Sequence, residues 1–523
     1  MRTRSVAHTQ SALSHSASTM GSRAAATWYR CLPALCSGTA LRVAPVLRPA
    51  SFASIPARRN LNVQTATEAV KLKSIDDLPG PSRSTSMYWL LVKGYAEKMH
   101  LLQVIQQEGR YPVRMEMPHW KEYRELRGQA YGLHVETGPE WYRIRSALNP
   151  KMLKLQEVSV YASTIQQVIG DLLQRIELLR TRSQDQATVL DVAAELYKFG
   201  FEGISSILFE TRLGCLQEEI PHETLRFIKA VNDMLTFADM VLLFPRWTRN
   251  ILPFWKRFVQ AWDDLYEVAQ MLIDRRMAEI EAQVSRGEPI EGMYLTNLLS
   301  SDKLTKAEVY ISVTELMLGG VDTTSNTLSW ALYHLARDSR AQDRLYSEVN
   351  SVCPDKREPT MDDLSRMPFL KAVIKETLRL YPVAPGNARF VSENEVILDN
   401  YWFPKKTQFH LCHYEACHDE SEFPNAEHFL PERWFRSDTP NSRSDRARPG
   451  FYQHNPYSFI PFGVGVRACV GKRVAEMEMH FALSRLMQHY EIQPEDGAPT
   501  VEAKTRTLLI PAKPINLRFL PRA

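Results

Sequence analysis

The sequence predicts a mainly α-helical protein with small β-sheets. Three observations carry that expectation. The run from Leu304 to Ala336 is long and strongly apolar, too long for a strand. Helical patterns recur over Val189 to Ile228, over Lys371 to Leu380 and from Val474 onward. Extended stretches are short by comparison, at Glu395 to Leu398 and Thr407 to Leu411.

Size and composition fit a globular chain of 523 residues, 44% hydrophobic and 24% charged. Length alone suggests roughly three domains. The body has no low-complexity linker and no internal repeat, so one large fold serves as well. A formal net charge of +4 is too small to imply nucleic-acid binding. The seven cysteines are scattered without zinc-ligand spacing and read as reduced thiols, Cys469 excepted.

From Met1 to Asn60 there is no Asp or Glu, and arginines are spread among Ser, Ala and Thr. That is the composition of a mitochondrial transit peptide, although a basic tail without an address would look alike. The segment has no run of about 18 apolar residues that could anchor it in a membrane. The expected organisation is residues 1–60 as transit peptide and 61–523 as a single domain. Asp77-Leu78-Pro79-Gly80-Pro81 is a rigid turn at the entry to the fold.

Gly138 to Arg145 opens a helix on which Trp141 and Arg145 share a face. Met240 to Trp255 mixes aromatic and aliphatic residues with Arg and Lys, as a membrane interface or a proline-punctuated core would. In the long run, Gly319 and Gly320 together cost a helix about 2 kcal/mol, so they need a reason. Thr323 can turn its hydroxyl to an upstream carbonyl and bend the helix, opening a groove. Glu376 and Arg379 stand at i, i+3 on a helix that ends before Tyr381-Pro382. His410, His413 and His418 fit no metal spacing and read as polar strand and turn residues.

Near the C-terminus, Phe462-Gly463-Val464-Gly465-Val466-Arg467-Ala468-Cys469-Val470-Gly471 places one cysteine among glycines. Glycine permits tight turns and close approach to a flat ligand. A helix leaving the loop at Val474 would point its N-terminus at the sulfur and favour the anion. Such a thiolate can bind iron axially; a buried free cysteine in a glycine-rich turn is the plainer alternative.

This loop resembles the haem-binding signature of the cytochrome P-450 family. Trp141 with Arg145, Gly319 to Thr324, Glu376 with Arg379, and Pro431-Glu432-Arg433 stand in that family's order. The resemblance implies the cytochrome P-450 fold, with haem b (heme b) between the long central helix and the cysteine loop. It implies Cys469 as the axial iron ligand, and Phe462, Gly463, Arg467, Trp141, Arg145 and Arg389 as haem-binding residues. Asp322 and Thr323 would be the acid–alcohol pair that passes protons toward dioxygen. Glu376, Arg379 and Arg433 would form a structural triad.

The wording around Gly320 to Leu328 and Leu378 to Val383 is similar to the mitochondrial sterol 27-hydroxylase and vitamin D hydroxylase group. That implies a ferredoxin-dependent monooxygenase at the matrix face of the mitochondrial inner membrane, held there peripherally. Its partners would be an adrenodoxin-like ferredoxin and its NADPH reductase, with Lys371, Lys375, Lys472 and Arg473 as a basic docking patch or as plain solvated charges. The substrate would be a sterol, hydroxylated at the terminal side-chain carbon of cholesterol or a bile-acid intermediate. A vitamin D substrate, hydroxylated at the 25 or 1α position, is the alternative. A peroxide isomerase and a non-catalytic haem-binding protein are more distant ones.

Overall fold

The computed structural model describes residues 113–114, 116–288, 294–391, 395–398, 401–435 and 455–522. The transit-peptide and proline-rich entry expectations fall outside them. The chain divides into two compact units, one of residues 101–393 and 406–523, the other of residues 1–100 and 394–405. Of the latter, a hairpin is described: β4 (Val396–Leu398) pairs antiparallel with β5 (Tyr401–Phe403), and Trp402 Nε1 donates to Glu395 at 3.0 Å.

The large unit is organised around the central helix, Lys306–Arg337. Thr305 caps it: its hydroxyl accepts from the Glu308 amide, and the Glu308 carboxylate accepts in return from the Thr305 amide. Nearly every residue from Val309 to Ala336 is buried, so the helix runs through the core with its polar residues enclosed along with its apolar ones. The expected bend is not a break. The helix runs on through Gly319 and Gly320, and side chains of the following turns donate back to its carbonyls: Thr323 to Gly319, Ser325 to Val321, Asn326 to Asp322 and Thr327 to Thr323.

The 192–209 helix (Val192–Phe209) lies along the central helix, and glycines let the two approach. A Cβ on Gly200 would stand 2.8 Å from Ser325 Oγ, and one on Gly320 would stand 2.9 Å from Ile204. Gly319 is different: a Cβ there would meet nothing within 4 Å, so that face of the helix is open. The helical reading of Val189 to Ile228 needs correction. Val189 pairs with Leu517 in a strand, and residues 210–221 are not helical. The buried Glu202 carboxylate draws that turn in, accepting from Arg212 Nε and the amides of Leu213 and Cys215 at 2.6–3.0 Å.

Helices His222–Leu243 and Pro253–Ser285 pack together, joined by a 3₁₀ turn at Arg246–Asn250. The helix Pro368–Leu380 ends where expected, and Tyr381 beyond it stacks on Trp330 of the central helix at 3.8 Å. The strands stay small. β3 (Asn387–Val391) lies between β1 (Val113–Arg114) and β6 (Thr407–Leu411). β10 (Leu517–Pro521) lies between β2 (Thr188–Val189) and β7 (Tyr490–Pro494). β8 (Ala503–Arg506) and β9 (Leu508–Pro511) form a hairpin turning at Thr507, whose φ is 55°.

The two central glycines should therefore respond oppositely to alanine. Gly320→Ala drives a methyl into Ile204 and should destabilise by about 1–3 kcal/mol. Gly319→Ala meets no atom and should stabilise the haem-free chain by up to about 1 kcal/mol through helix propensity. Denaturant melts of both variants read the difference; equal effects would contradict the packing described.

Candidate active site

The cysteine loop is built by two reversals. Gly463, at φ 67°, follows a bond from its amide to Ile460 O, and Gly465, at φ 70°, opens a 3₁₀ turn over Gly465–Arg467. The Cys469 amide then donates to Phe462 O at 2.8 Å, closing the loop. Cys469 ends half-buried, immediately before the helix Lys472–His489. Burial pushes its thiol up, while the Gly471 N–H and the charges of Arg145, Arg114 and Lys472 pull it down.

The expected cofactor-binding residues gather around this loop. Arg145 Nη2 donates to Ala468 O at 2.7 Å, and Arg467 stacks on the Trp141 ring, 3.5 Å from its centroid. Arg389 lies on β3 directly across from Arg114 on β1, and Arg114 Nη2 donates to Arg467 O at 2.7 Å. Arg114 and Arg145 thus stand by the thiol with Arg467 in its loop, and Arg389 lies across the strand pair from Arg114. Arg145 Nε is buried with no partner, a donor still to be matched. Arg114 was missed in the sequence, since it sits on a two-residue strand with no pattern to mark it.

On the central helix, Thr323 Oγ donates to Gly319 O at 2.7 Å, on the side where Gly319 leaves the helix open. Asp322 is fully buried and its Oδ1 is taken. Arg506 of β8 and the Tyr197 hydroxyl both donate to it, and Asn326 Nδ2 supports Tyr197 at 2.8 Å. Asp322 Oδ2 is buried without a partner. Arg506 and Tyr197 lie far from Asp322 in sequence, and nothing in the sequence tied either of them to it.

Glu376 is a buried carboxylate with five donors. It accepts from Arg379 Nε and Nη2, Arg433 Nε, the Leu430 amide and Trp434 Nε1, all at 2.8–3.0 Å. Lys371, Lys375 and Lys472 come near enough that the first and last lower the Lys375 ammonium, after burial as the chief cause. Glu476 stands among them, pairing with Arg473 at 3.1 Å and Lys472 at 3.9 Å.

A half-buried thiol with Arg114 and Arg145 beside it, and a guanidinium nitrogen of Arg145 still unmatched, suits a flat anionic group such as haem. Residues 83–519 match the family model for cytochrome P450. The chain belongs to the cytochrome P450 family. It is a monooxygenase of that family, whose haem is held by a cysteine thiolate. The P450 is 40% identical to the mitochondrial sterol 26-hydroxylase of Rattus norvegicus, over 88% of this chain and 91% of that one. It is 41% identical to cytochrome P450 27C1 of Aquarana catesbeiana, over 82% and 79% of the two chains. It is 38% identical to the human mitochondrial 25-hydroxyvitamin D-1 alpha hydroxylase, over 86% and 93%.

Removing Glu376 from this P450 would leave two buried arginines without their counter-charge. Glu376→Ala should cost about 3–5 kcal/mol and sharply lower the yield of haem-loaded protein. Glu376→Gln keeps the shape and should fall between parent and Glu376→Ala. Haem-to-protein ratio and protease resistance measure the order.

Proposed function

We propose that this P450 is a mitochondrial sterol hydroxylase in which Cys469 is the axial haem ligand. The observation that supports the reading is the placing of Arg114 and Arg145 by that thiol, with Arg467 in its loop and Arg389 across the strand pair from Arg114. Arg145 and Arg389 supply donors for carboxylates at the haem edge, and Trp141 braces Arg467. Bound there, the haem supplies oxygen activation, its iron enriched in electron density by the thiolate.

The chain's own residues position substrate and protons. Thr323 holds a hydroxyl proton beside the open face at Gly319. Asp322 stands one residue behind it, oriented by Arg506 and Tyr197, with Oδ2 as the oxygen left to meet a water. Glu376, Arg379 and Arg433 brace the proximal side and take no part in the chemistry.

The substrate is a sterol, hydroxylated at the terminal side-chain carbon, in line with the sterol 26-hydroxylase relatives. The vitamin D hydroxylase relatives support a secosteroid as the second reading. Residues 1–60 serve as the transit peptide and 61–523 as the single catalytic domain. Electrons arrive from an adrenodoxin-like ferredoxin and its NADPH reductase at Lys371, Lys375, Lys472 and Arg473. Trp247 and Ile251, each 72% exposed, lie near exposed Leu242 and Phe244 and beside Arg246. They rest the enzyme on the matrix face of the inner membrane without a span; no helix among the described residues is long and apolar enough to cross one.

Product analysis with cholesterol, a bile-alcohol triol and vitamin D3 side by side tests the substrate. Side-chain hydroxylation of the sterols in preference to vitamin D3 is expected, and the reverse order selects the second reading. Cys469→Ala should lose the red-shifted Soret band of the reduced carbon monoxide complex. Thr323→Ala should consume NADPH while releasing peroxide in place of product. Lys371→Gln with Lys375→Gln should weaken ferredoxin-supported turnover, most at low salt, and spare peroxide-driven turnover. Unchanged turnover at low salt would make these lysines solvated charges.

A further inference from the structure

Along the central helix from Val309 to Tyr333, every residue is buried except Gly319, Gly320 and Thr323. That half-exposed stripe, open at Gly319, is where Thr323 holds its hydroxyl. Glu315 stands one turn before Gly319 and two before Thr323, on the same slowly turning face. It is 1% exposed, and its carboxylate is covered by a loop. His134 reaches it from between the helices Pro118–Arg127 and Gly138–Leu153. The His134 amide donates to Glu315 Oε2 at 3.0 Å, and His134 Nδ1 lies 3.1 Å from the same oxygen. Arg124 Nη2 stands 3.5 Å from Oε1.

Main chain and ring of His134 are thus fixed on one oxygen. Gly132 makes this possible: a Cβ there would stand 2.5 Å from the Glu315 carboxylate, so only glycine lets the loop lie down on it. Burial pushes the Glu315 carboxyl up, but the bond and charge of His134 and the charge of Arg124 outweigh it and hold the group below the usual carboxylate range. An ionised carboxylate only accepts, so Nδ1 carries the ring proton, and the neutral ring presents a lone pair at Nε2. Nε2 has no partner among the described residues, and the His134 side chain is 32% exposed. Four residues on begins the helix that carries Trp141 and Arg145.

An imidazole acceptor, set in place by a buried carboxylate, therefore stands between the open stripe of the central helix and the helix that supplies Arg145. We propose that His134, oriented by Glu315, is a specificity-determining residue whose Nε2 accepts a hydrogen bond from a hydroxyl on the ring body of the substrate. Glu315 lies about 12 Å from Thr323 along the helix, at 1.5 Å per residue. That separation passes the side chain of a sterol whose terminal carbon is beside Thr323, and it reaches the middle rings. The favoured substrates are sterols that carry a hydroxyl there. The inference rests on the sterol reading above and deepens it.

The test uses the haem-loaded enzyme and two ligands that differ only in those hydroxyls, a bile-alcohol triol and its 3-monohydroxy counterpart. Dissociation constants are read from the shift of the haem Soret band as each is added. In the parent the triol should bind roughly three- to ten-fold more tightly, the worth of one net hydrogen bond. His134→Asn is the first variant. Its amide can stand in for Nδ1 at Glu315 while nothing replaces Nε2, so the fold is kept and the acceptor is lost. The preference should fall to about one, through weaker binding of the triol alone.

His134→Leu removes the Glu315 bond as well. It should lose the same preference and melt at a lower temperature than His134→Asn. A parent that binds both ligands alike overturns the proposal, as does a preference that survives in His134→Asn. So does an equal loss of affinity for both ligands, which marks a structural role. Each of these leaves the sterol reading in place. A parent that binds neither ligand fails the sterol reading itself, and this inference with it.

Discussion

A buried carboxylate must be matched or the fold is lost, and Glu376 is where this protein meets that demand most fully. Five donors reach its two oxygens from three places in the chain: Arg379 one turn on, the Leu430 amide, and Arg433 with Trp434. Arg379 is itself held by the carbonyls of Cys417 and His428. Satisfying one charge thus pins the segment 417–434, which has little regular structure, onto the 368–380 helix. Removing any one partner strands the others in a low dielectric, so the cluster forms as a unit.

From that segment the constraint passes to the cysteine loop. Glu422 accepts from the Asn455 amide and the Ser458 hydroxyl, both at 2.7 Å. Trp434, already bound to Glu376, packs against Phe459 at 4.5 Å between ring centroids. The loop begins three residues later. The cluster thus bears on where the thiol stands, which is why its loss should read out as lost haem.

Legibility in the sequence followed the range of the interaction. The Trp141–Arg145 face and the Glu376–Arg379 pair are local, and spacing alone revealed them; the Thr305 cap of the central helix, though equally local, was not read. Arg433 was reachable because the family resemblance named its segment. Arg506 and Tyr197 were not, since only the tertiary fold carries β8 and the 192–209 helix to Asp322. The turn at 210–221 escaped because the buried charge of Glu202 overrides the local pattern. Arg114 escaped because two residues make no periodicity.

Glu478 escaped for another reason: as one polar residue on a mixed helix it reads like Glu476, two residues before it. The difference is all in the neighbours. Glu476 faces Lys472 and Arg473 near the surface, where a carboxylate is easily kept charged. Glu478, buried on the helix Lys472–His489, has its Oε1 against the bare backbone of Gly203 and without a partner. Asp322, equally buried, is given a guanidinium and a phenol. Two carboxyls buried within the same helical core are thus supplied differently, Asp322 with a guanidinium and a phenol and Glu478 with an oxygen left unpartnered. That contrast needs no difference in the side chains' own chemistry. It follows from a glycine that leaves room for an acid and no base to go with it.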